Sequence, residues 1–472
     1  MSLFQSNLFK STSLLSISQV LALFVSAVII LILPRFIPMS DYGYWQLFLL
    51  YAGYVGIFHF GYSDGLYIKF GGKDLKTLDG SELRMQFSVF LIFQLMFSLA
   101  LIFFSFNWFS NINKRWVFLA VSVFLVIENY HKLLSFILLA TNNVTAYAKS
   151  VIIDKILIMI FVFLLLAAEE LSLLNLLFIY IICRFVSLIY LIVLYPKFLP
   201  QIKNTARFGH AFTQIIEFCK IGIILTFSNI FGVFILASGR LVVEHSWSIE
   251  SFAQISLAVS LAFFIMSFIS QISLILFPIL CNAETIIQKK ILKDGSLLIG
   301  FISVLGFGFY FLTYFFIKWW LPGYSESLTY LIYLFPIILF ENKTQILYTT
   351  YCKSQNKLGL LMKVNFIVLL IALIMYLIAA RFHAIELVLV TMFLSLMLRS
   401  VILHLYLFRF FKLKTEKYFY IEIALSVAFI LVYKLFGLWA SGIFFLFAVV
   451  SYSLVSLKDL KSIYFTFKNI DK

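Results

Sequence analysis

Charged side chains are scarce in this sequence. Asp, Glu, Lys and Arg make up 12% of its 472 residues, while 63% are apolar. Soluble globular domains carry about 25% charged and about 45–50% apolar residues, so the composition excludes an ordinary soluble domain and indicates a polytopic membrane protein. The formal net charge of +15 does not indicate a nucleic-acid partner, because the basic residues lie mostly in short connections between apolar runs.

Cysteine and nucleotide-binding patterns are scarce or missing as well. Cys183, Cys219, Cys281 and Cys352 lie singly, with no two at the spacing of a metal or redox site, so we expect reduced thiols and no metal. The phosphate-binding pattern Gly-x-x-x-x-Gly-Lys-Ser/Thr is absent, and no connection exceeds about 25 residues. We therefore expect neither an ATP-driven pump nor an enzyme with a large aqueous domain, and no cofactor beyond an H⁺ or Na⁺ coupling ion.

Apolar runs of membrane length fill most of the chain. Fourteen runs can cross about 30 Å of hydrocarbon. They are centred near residues 23, 52, 96, 128, 158, 183, 225, 265, 306, 339, 370, 396, 427 and 448. The predicted fold class is an all-α polytopic membrane protein with about fourteen transmembrane helices.

The connections between these runs predict the orientation. One side carries 23 Lys and Arg residues and the other side seven. Since basic connections stay in the cytoplasm, we expect both termini to be cytoplasmic. All seven Trp residues fall at or near the basic-poor side, as an aromatic belt at the outer interface would require.

Polar residues of the first half recur in the second. The repeated residues are Glu128, Asn129 and Asn143, matched by Glu341, Asn342 and Asn356 at an offset of 213 (341 − 128), and Arg184, matched by Arg399 at 215 (399 − 184). We therefore predict two related six-helix lobes, residues 1–205 and 206–412, followed by an appended helix pair with a cytoplasmic tail, residues 413–472.

Ionisable residues inside the runs are the candidate functional residues, because each costs about 2.5–3.5 kcal/mol at bilayer depth and usually marks a polar pathway. Three acids, Glu128, Asp154 and Glu341, lie in the runs. With six bases against three acids, the sequence predicts a net cationic interior whose bases bind an anionic substrate. Interhelical ion pairs and snorkelling side chains are the alternatives. The six bases are Lys132, Lys155, Arg184, Lys220, Lys343 and Arg399.

The three acids are the candidates for ion coupling. Glu128 has Lys132 one turn away, in the order that favours an ion pair, whereas the position matching Lys132 is Gln345. We therefore expect Glu341 to be the better site for H⁺ or Na⁺, with Glu128 and Asp154 as further candidates.

Three motifs near the N-terminus carry a family resemblance, namely Leu33-Pro34-Arg35, Asp41-Tyr42-Gly43-Tyr44-Trp45 and Gly61-Tyr62-Ser63-Asp64-Gly65-Leu66. They resemble the first two helices of O-antigen and polysaccharide flippases of the multidrug/oligosaccharidyl-lipid/polysaccharide (MOP) exporter superfamily. The resemblance implies two six-helix lobes, a cationic cavity and alternating access. In fourteen-helix relatives that flip lipid II, the last pair looks like a groove for the lipid tail.

The substrate class that the resemblance implies is an undecaprenyl-pyrophosphate-linked oligosaccharide in the bacterial inner membrane, with a polysaccharide polymerase and chain-length machinery as partners. Arg suits the pyrophosphate because it binds phosphate oxygens bidentately. Two alternatives stay open. A cation-coupled multidrug exporter would need a more acidic cavity, and an integral membrane polymerase would need a large outer loop.

Overall fold

The structure, a computed structural model, describes residues 2–200, 208–270, 276–277, 279–281 and 283–470, and these residues form helices without any β-strand. The helices are α1 Ser2–Phe36, α2 Met39–Tyr54, α3 Tyr62–Phe70, α4 Gly80–Trp108, α5 Ile112–Ala140, α6 Val144–Ala167, α7 Leu173–Leu194, α8 Phe208–Ser246, α9 Ile249–Ser270, α10 Thr285–Gly306, α11 Phe309–Trp320, α12 Ser325–Asn342, α13 Thr349–Ser354, α14 Leu358–Arg381, α15 Ile385–Phe410 and α16 Lys417–Ile470. A π-helix, Lys343–Tyr348, joins α12 to α13, and a 3₁₀ turn, Val55–His59, follows α2.

Membrane-spanning helices account for nearly all of the described chain. Eleven described spans are long and apolar enough to cross a bilayer. Three more crossings come from α2 with α3, which the 3₁₀ turn interrupts, from the apolar helix Ile249–Phe264, and from α16, which contains two helices separated at Gly437 (φ 80°). The total, 11 + 3 = 14, agrees with the prediction, and the predicted fold class is confirmed.

The chain divides into two compact units, Met1–Ile230 and Phe231–Lys472, and the division falls within α8. The lobe boundary predicted between residues 205 and 206 lies outside the described residues. The helices of 413–472 belong to the second unit.

Each unit is built around one helix that packs against several others. In the first unit α5 packs against α2, α3, α4, α6 and α7, and in the second unit α12 packs against α9, α10, α11, α15 and α16. The apolar window of α5 is 61% buried and that of the span containing α12 is 78% buried. Glu128, near the middle of α5, is consequently partly buried in its unit, and Glu341, near the end of α12, is buried in its unit.

The backbone repeats between the halves, with one inserted residue. Helix α5 has 29 residues, whereas the matching stretch from α12 through α13 has 18 + 6 + 6 = 30. The π-helix takes up the extra residue, since its wider turn holds one more residue than an α-turn. Both stretches end on a left-handed asparagine, Asn142 (φ 59°) and Asn356 (φ 53°), 214 apart. The gapless match of Asn143 to Asn356 was therefore wrong by one residue.

The next helices continue the repeat at the same offset. Helices α6 and α14 each have 24 residues and are followed by left-handed Glu169 (φ 58°) and His383 (φ 49°), again 214 apart. A backbone bond closes each end, from Glu170 N to Leu165 O at 3.0 Å and from Ala384 N to Ala379 O at 3.1 Å. Matched lengths and matched caps support an internal duplication.

Glycines bring the backbones of α3 and α8 into direct contact in the first unit. A Cβ on Gly222 would lie 2.1 Å from Gly61 O, and a Cβ on Gly65 would lie 2.0 Å from Phe218 O. Small residues permit this approach between membrane helices. This contact holds α3 against α8. Helix α3 comes directly after the 3₁₀ turn that interrupts the second membrane segment.

Candidate functional site

The first unit contains a forked ion pair between α7 and α5. Arg184 Nε donates to Glu128 Oε2 at 2.5 Å, and Arg184 Nη2 donates to Glu128 Oε1 at 3.0 Å. The two side chains are 18% and 20% exposed. This bidentate geometry is the one that guanidinium also adopts with phosphate.

Helix α6 adds a second acid and a second base to this pair. Asp154 Oδ2 lies 3.4 Å from Arg184 Nη1 and 3.5 Å from Lys155 Nζ. The Asp154 side chain is 6% exposed, whereas that of Lys155 is 22% exposed. With Glu128, the four groups are formally neutral together, so the fixed charges of this cluster cancel.

The second unit repeats the pair in a sealed form. Arg399 Nη2 on α15 bonds to Glu341 Oε2 on α12, and Arg399 Nη1 donates to Gly232 O at 3.0 Å. Gln345 Nε2 donates to Glu341 Oε1 at 2.7 Å. The side chains of Arg399 and Glu341 are only 1% and 7% exposed, so this pair is closed to solvent and lipid alike.

Arg184 and Arg399 have no acid nearby in sequence. Their acid partners lie 56 and 58 residues away and so escape a search for local pairs. The reason for preferring Glu341, that it lacks a neighbouring cation, does not hold, because Arg399 pairs with it as Arg184 pairs with Glu128. The role of either glutamate in ion coupling stays a prediction. Lys132, predicted to hold Glu128, has its Nζ 3.1 Å from His59 Nε2 instead.

Lys343 lies in a third buried pair, which has no counterpart in the first unit. Its Nζ bonds to Glu422 Oε2 on α16 and lies 3.3 Å from Ser296 Oγ on α10, while Tyr452 OH donates to Glu422 Oε1 at 2.7 Å. The Lys343 and Glu422 side chains are 2% and 1% exposed. This cluster fastens the appended helices to the second unit, and the predicted role of Lys343 in substrate binding stays a prediction.

The excess of six bases over three acids is not found among the buried and partly buried charges described above. Asp64 and Glu422, which were not counted among the acids of the apolar runs, are buried, and Lys220 is exposed on α8. The buried or partly buried charges named here are therefore five acids and five bases. The bases are Lys132, Lys155, Arg184, Lys343 and Arg399, and the acids are Asp64, Glu128, Asp154, Glu341 and Glu422.

The second membrane segment is broken inside the first unit. The 3₁₀ turn leads into Phe60, which is left-handed (φ 47°) although it is not glycine. Side chains of neighbouring helices satisfy carbonyls at the break, since Asn129 Nδ2 donates to Val55 O at 3.0 Å and Gln94 Nε2 donates to Phe58 O at 3.0 Å. Interrupted helices at membrane depth commonly form substrate and ion sites.

Ionisable side chains converge on this break. Besides its contact with Lys132, His59 Nε2 lies 3.8 Å from Asp64 Oδ2, and Thr226 Oγ1 donates to the same carboxylate oxygen. The His59 ring is enclosed by its surroundings. Sequence analysis overlooked His59 and Asp64, although the glycines at 53, 56 and 61 mark an interrupted helix.

Metal binding finds no support in the part of the chain that the structure describes, where no three His, Cys, Asp or Glu residues cluster and all four cysteines are free thiols.

Comparison with solved structures identifies the fold. No protein-family profile and no curated protein matches the sequence. The structure resembles the lipid II flippase MurJ in an inward closed conformation, with a TM-score of 0.67, 14% identity, and coverage of 96% of this chain and 99% of that one. The chain has the fold of the MOP superfamily. A multidrug resistance transporter of the MATE family of that superfamily, in an inward-facing conformation, gives a TM-score of 0.54 at 11% identity and covers 82% of this chain and 98% of its own.

The family resemblance of the motifs near the N-terminus therefore indicated the correct fold. At identities of 14% and 11% the agreement concerns the fold.

Proposed function

We propose that the chain is a flippase that moves an undecaprenyl-pyrophosphate-linked oligosaccharide from the cytoplasmic to the outer leaflet by alternating access. The observation that carries this proposal is the extent of the likeness to the lipid II flippase. Since that match covers 96% of 472 residues, about 19 residues at most lie outside it, and it must include most of residues 413–472. The MATE transporter matches 82%.

The chemistry of such a substrate agrees with a membrane protein without aqueous domains. Each sugar hydroxyl that enters hydrocarbon without a hydrogen-bond partner costs about 2–7 kcal/mol, so an oligosaccharide needs a polar path through protein. The lipid tail needs none. The pyrophosphate needs a cation that can release it again on the other side.

Arg184 is the residue to which we assign the pyrophosphate. It is partly exposed, and Glu128 already binds it with two parallel hydrogen bonds, which a phosphate can replace with the same geometry. Lys155 lies beside it as a second cation. Arg399, although repeated in sequence, is sealed, and we assign it to the framework of the second unit.

Flipping is tested in proteoliposomes that contain a fluorescent undecaprenyl-pyrophosphate oligosaccharide. Arg184→Ala should abolish its movement, and Arg184→Lys should retain part of it because the charge remains without the fork. Lys363→Gln, at an exposed position of α14, serves as the control. Full flipping by a correctly inserted Arg184→Ala variant would refute the assignment.

A multidrug exporter is the second candidate, and one observation favours it. The buried or partly buried charges named above are five acids and five bases, so they do not show the excess of bases that argued against cationic substrates. The same proteoliposomes loaded with a lipophilic cation decide between the two. Efflux of the cation without movement of the lipid-linked glycan would establish the exporter.

Orientation, coupling and partners belong to the same proposal. We place both termini in the cytoplasm of a bacterium, the chain in the inner membrane, and the driving force in an H⁺ or Na⁺ gradient. A polysaccharide polymerase with its chain-length machinery would receive the flipped product. A reporter fused near Lys114 should report from the periplasm, and a cytoplasmic signal there would reverse the orientation.

A further inference from the structure

We infer that the second unit binds a buried water molecule between the π-helix and α15. Three polar atoms there, Thr344 Oγ1, Ser400 Oγ and Arg399 Nε, have no hydrogen-bond partner within the part of the chain that the structure describes. Each of the three residues is at most 1% exposed, and a buried polar atom without a partner is costly. A water bound to all three removes that cost, whatever the chain transports.

Two contacts between neighbouring helices lie on either side of this place. Arg399 on α15 bonds to Glu341 near the end of α12, and Tyr348 OH, at the end of the π-helix, lies 2.8 Å from His404 Nδ1 on α15. Both residues of the second contact come later in the chain than those of the first, so the two stretches run parallel and stay adjacent between the contacts. The two unpartnered hydroxyls lie in this interval.

Helical spacing turns both hydroxyl-bearing residues toward the space between the helices. Thr344 follows Glu341 by three residues and precedes Tyr348 by four, so it shares the face that carries both contacts. Ser400 precedes His404 by four residues and shares its face in the same way. The two side chains therefore approach each other from opposite sides without bonding directly.

Hydroxyls elsewhere in the second unit are satisfied within their own helices. Ser238, Thr391 and Ser426 each donate to a backbone carbonyl three or four residues earlier, as Ser and Thr commonly do in a helix. Thr344 and Ser400 make no such bond. Their hydroxyls are consequently available to a ligand.

The first unit places an imidazole at the corresponding level. His131 follows Glu128 by three residues, as Thr344 follows Glu341, and its Nε2 lies 3.1 Å from Ser187 Oγ on α7. The ring thus links α5 to α7 one turn beyond the ion pair. Threonine is shorter than histidine and does not make this link, so a water takes the place of the ring atoms in the second unit.

A neutral ligand suits this place better than an ion. Arg399 and Glu341 are paired, and their charges cancel, so a bound ion would leave a net charge inside protein. A water oxygen accepts from Arg399 Nε, which is only a donor. Its two hydrogens are then given to the oxygens of Thr344 and Ser400. The result is three hydrogen bonds, about the number that a buried water typically makes.

Thermal melting of the full-length protein in detergent tests the water through Thr344→Val, which removes the hydroxyl and keeps the shape of the side chain. The variant loses a hydrogen bond to the water and should melt at a lower temperature. Ser400→Ala should also melt lower, and the double variant should lose less than the sum of the two losses because both residues bind one water. Thr329→Val is the matched control, since its exposed hydroxyl bonds to Glu326 O at 2.7 Å within α12, and it should change little. Melting of Thr344→Val at or above the wild-type temperature would overturn the water, since an unpaired buried hydroxyl is better replaced by an apolar group.

A cryo-EM map of the wild-type protein in lipid nanodiscs locates the ligand directly. We expect density for one water within hydrogen-bond distance of Thr344 Oγ1, Ser400 Oγ and Arg399 Nε, and its loss in Thr344→Val. A map that resolves waters elsewhere in the protein but none here, or that shows both hydroxyls bonded to backbone carbonyls, would contradict the site. An anion is the alternative ligand, and replacement of chloride by gluconate separates the two. The melting temperature should be unchanged with water, whereas a fall that is absent in Thr344→Val would reveal an anion and refute the water.

Discussion

The two repeated ion pairs, Arg184 with Glu128 and Arg399 with Glu341, occupy matching places in the halves but differ in exposure. The first pair is 18% and 20% exposed and shares its arginine with Asp154. The second is 1% and 7% exposed and is completed by the carbonyl of Gly232. A duplicated sequence therefore need not have duplicated roles, since burial alone converts an exchangeable pair into a structural one.

The largest expected effect comes from breaking the sealed pair. Arg399→Ala should lower the free energy of unfolding by about 3–5 kcal/mol, because it leaves the Glu341 carboxylate buried without a counter-charge. Arg184→Ala should cost clearly less, since that pair is partly exposed and Lys155 remains beside Asp154. Unfolding of both variants in detergent is the measurement, and Arg399→Met combined with Glu341→Met should recover most of the loss. Equal losses for Arg399→Ala and Arg184→Ala would remove the distinction between the halves.

A smaller loss, about 3 kcal/mol, is expected from Lys343→Met. Glu422 keeps its hydrogen bond from the hydroxyl of Tyr452, which reduces the free-energy cost of losing its cation. Because the pair joins α16 to α10 and α12, the variant should also expose the connection before α16 to limited proteolysis. Lys363→Met is the matched control on an exposed helix face. Unchanged proteolysis would show that apolar packing alone holds the appended helices.

Deleting one residue should affect the two central helices differently. Removal of Gln345, which is exposed within the π-helix, should let that stretch close into an α-helix with the length of α5 while residues after it keep their register. Removal of exposed Val123 from the regular turns of α5 rotates every later side chain by about 100°. Thermal melting should show a modest loss for the first deletion and failure to fold for the second. A larger loss of stability for the Gln345 deletion than for the Val123 deletion would mean that the π-helix does not hold the inserted residue.

The smallest effect concerns Glu416, in the connection before α16 of the second unit. Burial raises the pKa of its carboxyl from 4.5 to about 7. The charges of Glu422 and Asp294 add to this shift, whereas those of Lys293 and Lys343 oppose it. Since the folded state holds this proton more tightly, its stabilising contribution is complete below pH 4.5 and is lost as the pH rises through 7. Glu416→Gln should flatten the decline in melting temperature over that window. An unchanged pH profile would contradict the raised pKa.

The sequence predicted what depends on composition and repetition. Fourteen crossings, the central position of Glu128 and Glu341, and the fold all followed from apolar length, the costly charges and three short motifs. It did not predict partners. Arg184 finds Glu128 across two helices, and the one-residue π-insertion shifted the alignment after Lys343, because helix packing and helix register are tertiary properties. Asp64 and Glu422 were missed since their burial depends on a helix break and on a later helix.

The contact of α3 with α8 restricts which sequences can share this architecture. No side chain fits at Gly61, Gly65 or Gly222, where a methyl group would meet a backbone atom at 2.0–2.5 Å. A protein that crosses the same two segments at the same distance must carry glycine at all three places, whatever has happened to its other residues. Gly65 follows Gly61 by four residues, and Gly222 follows Gly65 by 157 (222 − 65). With allowance for connections of different length, this spacing can be used to search for distant relatives that share too little sequence identity for whole-chain comparison to detect them.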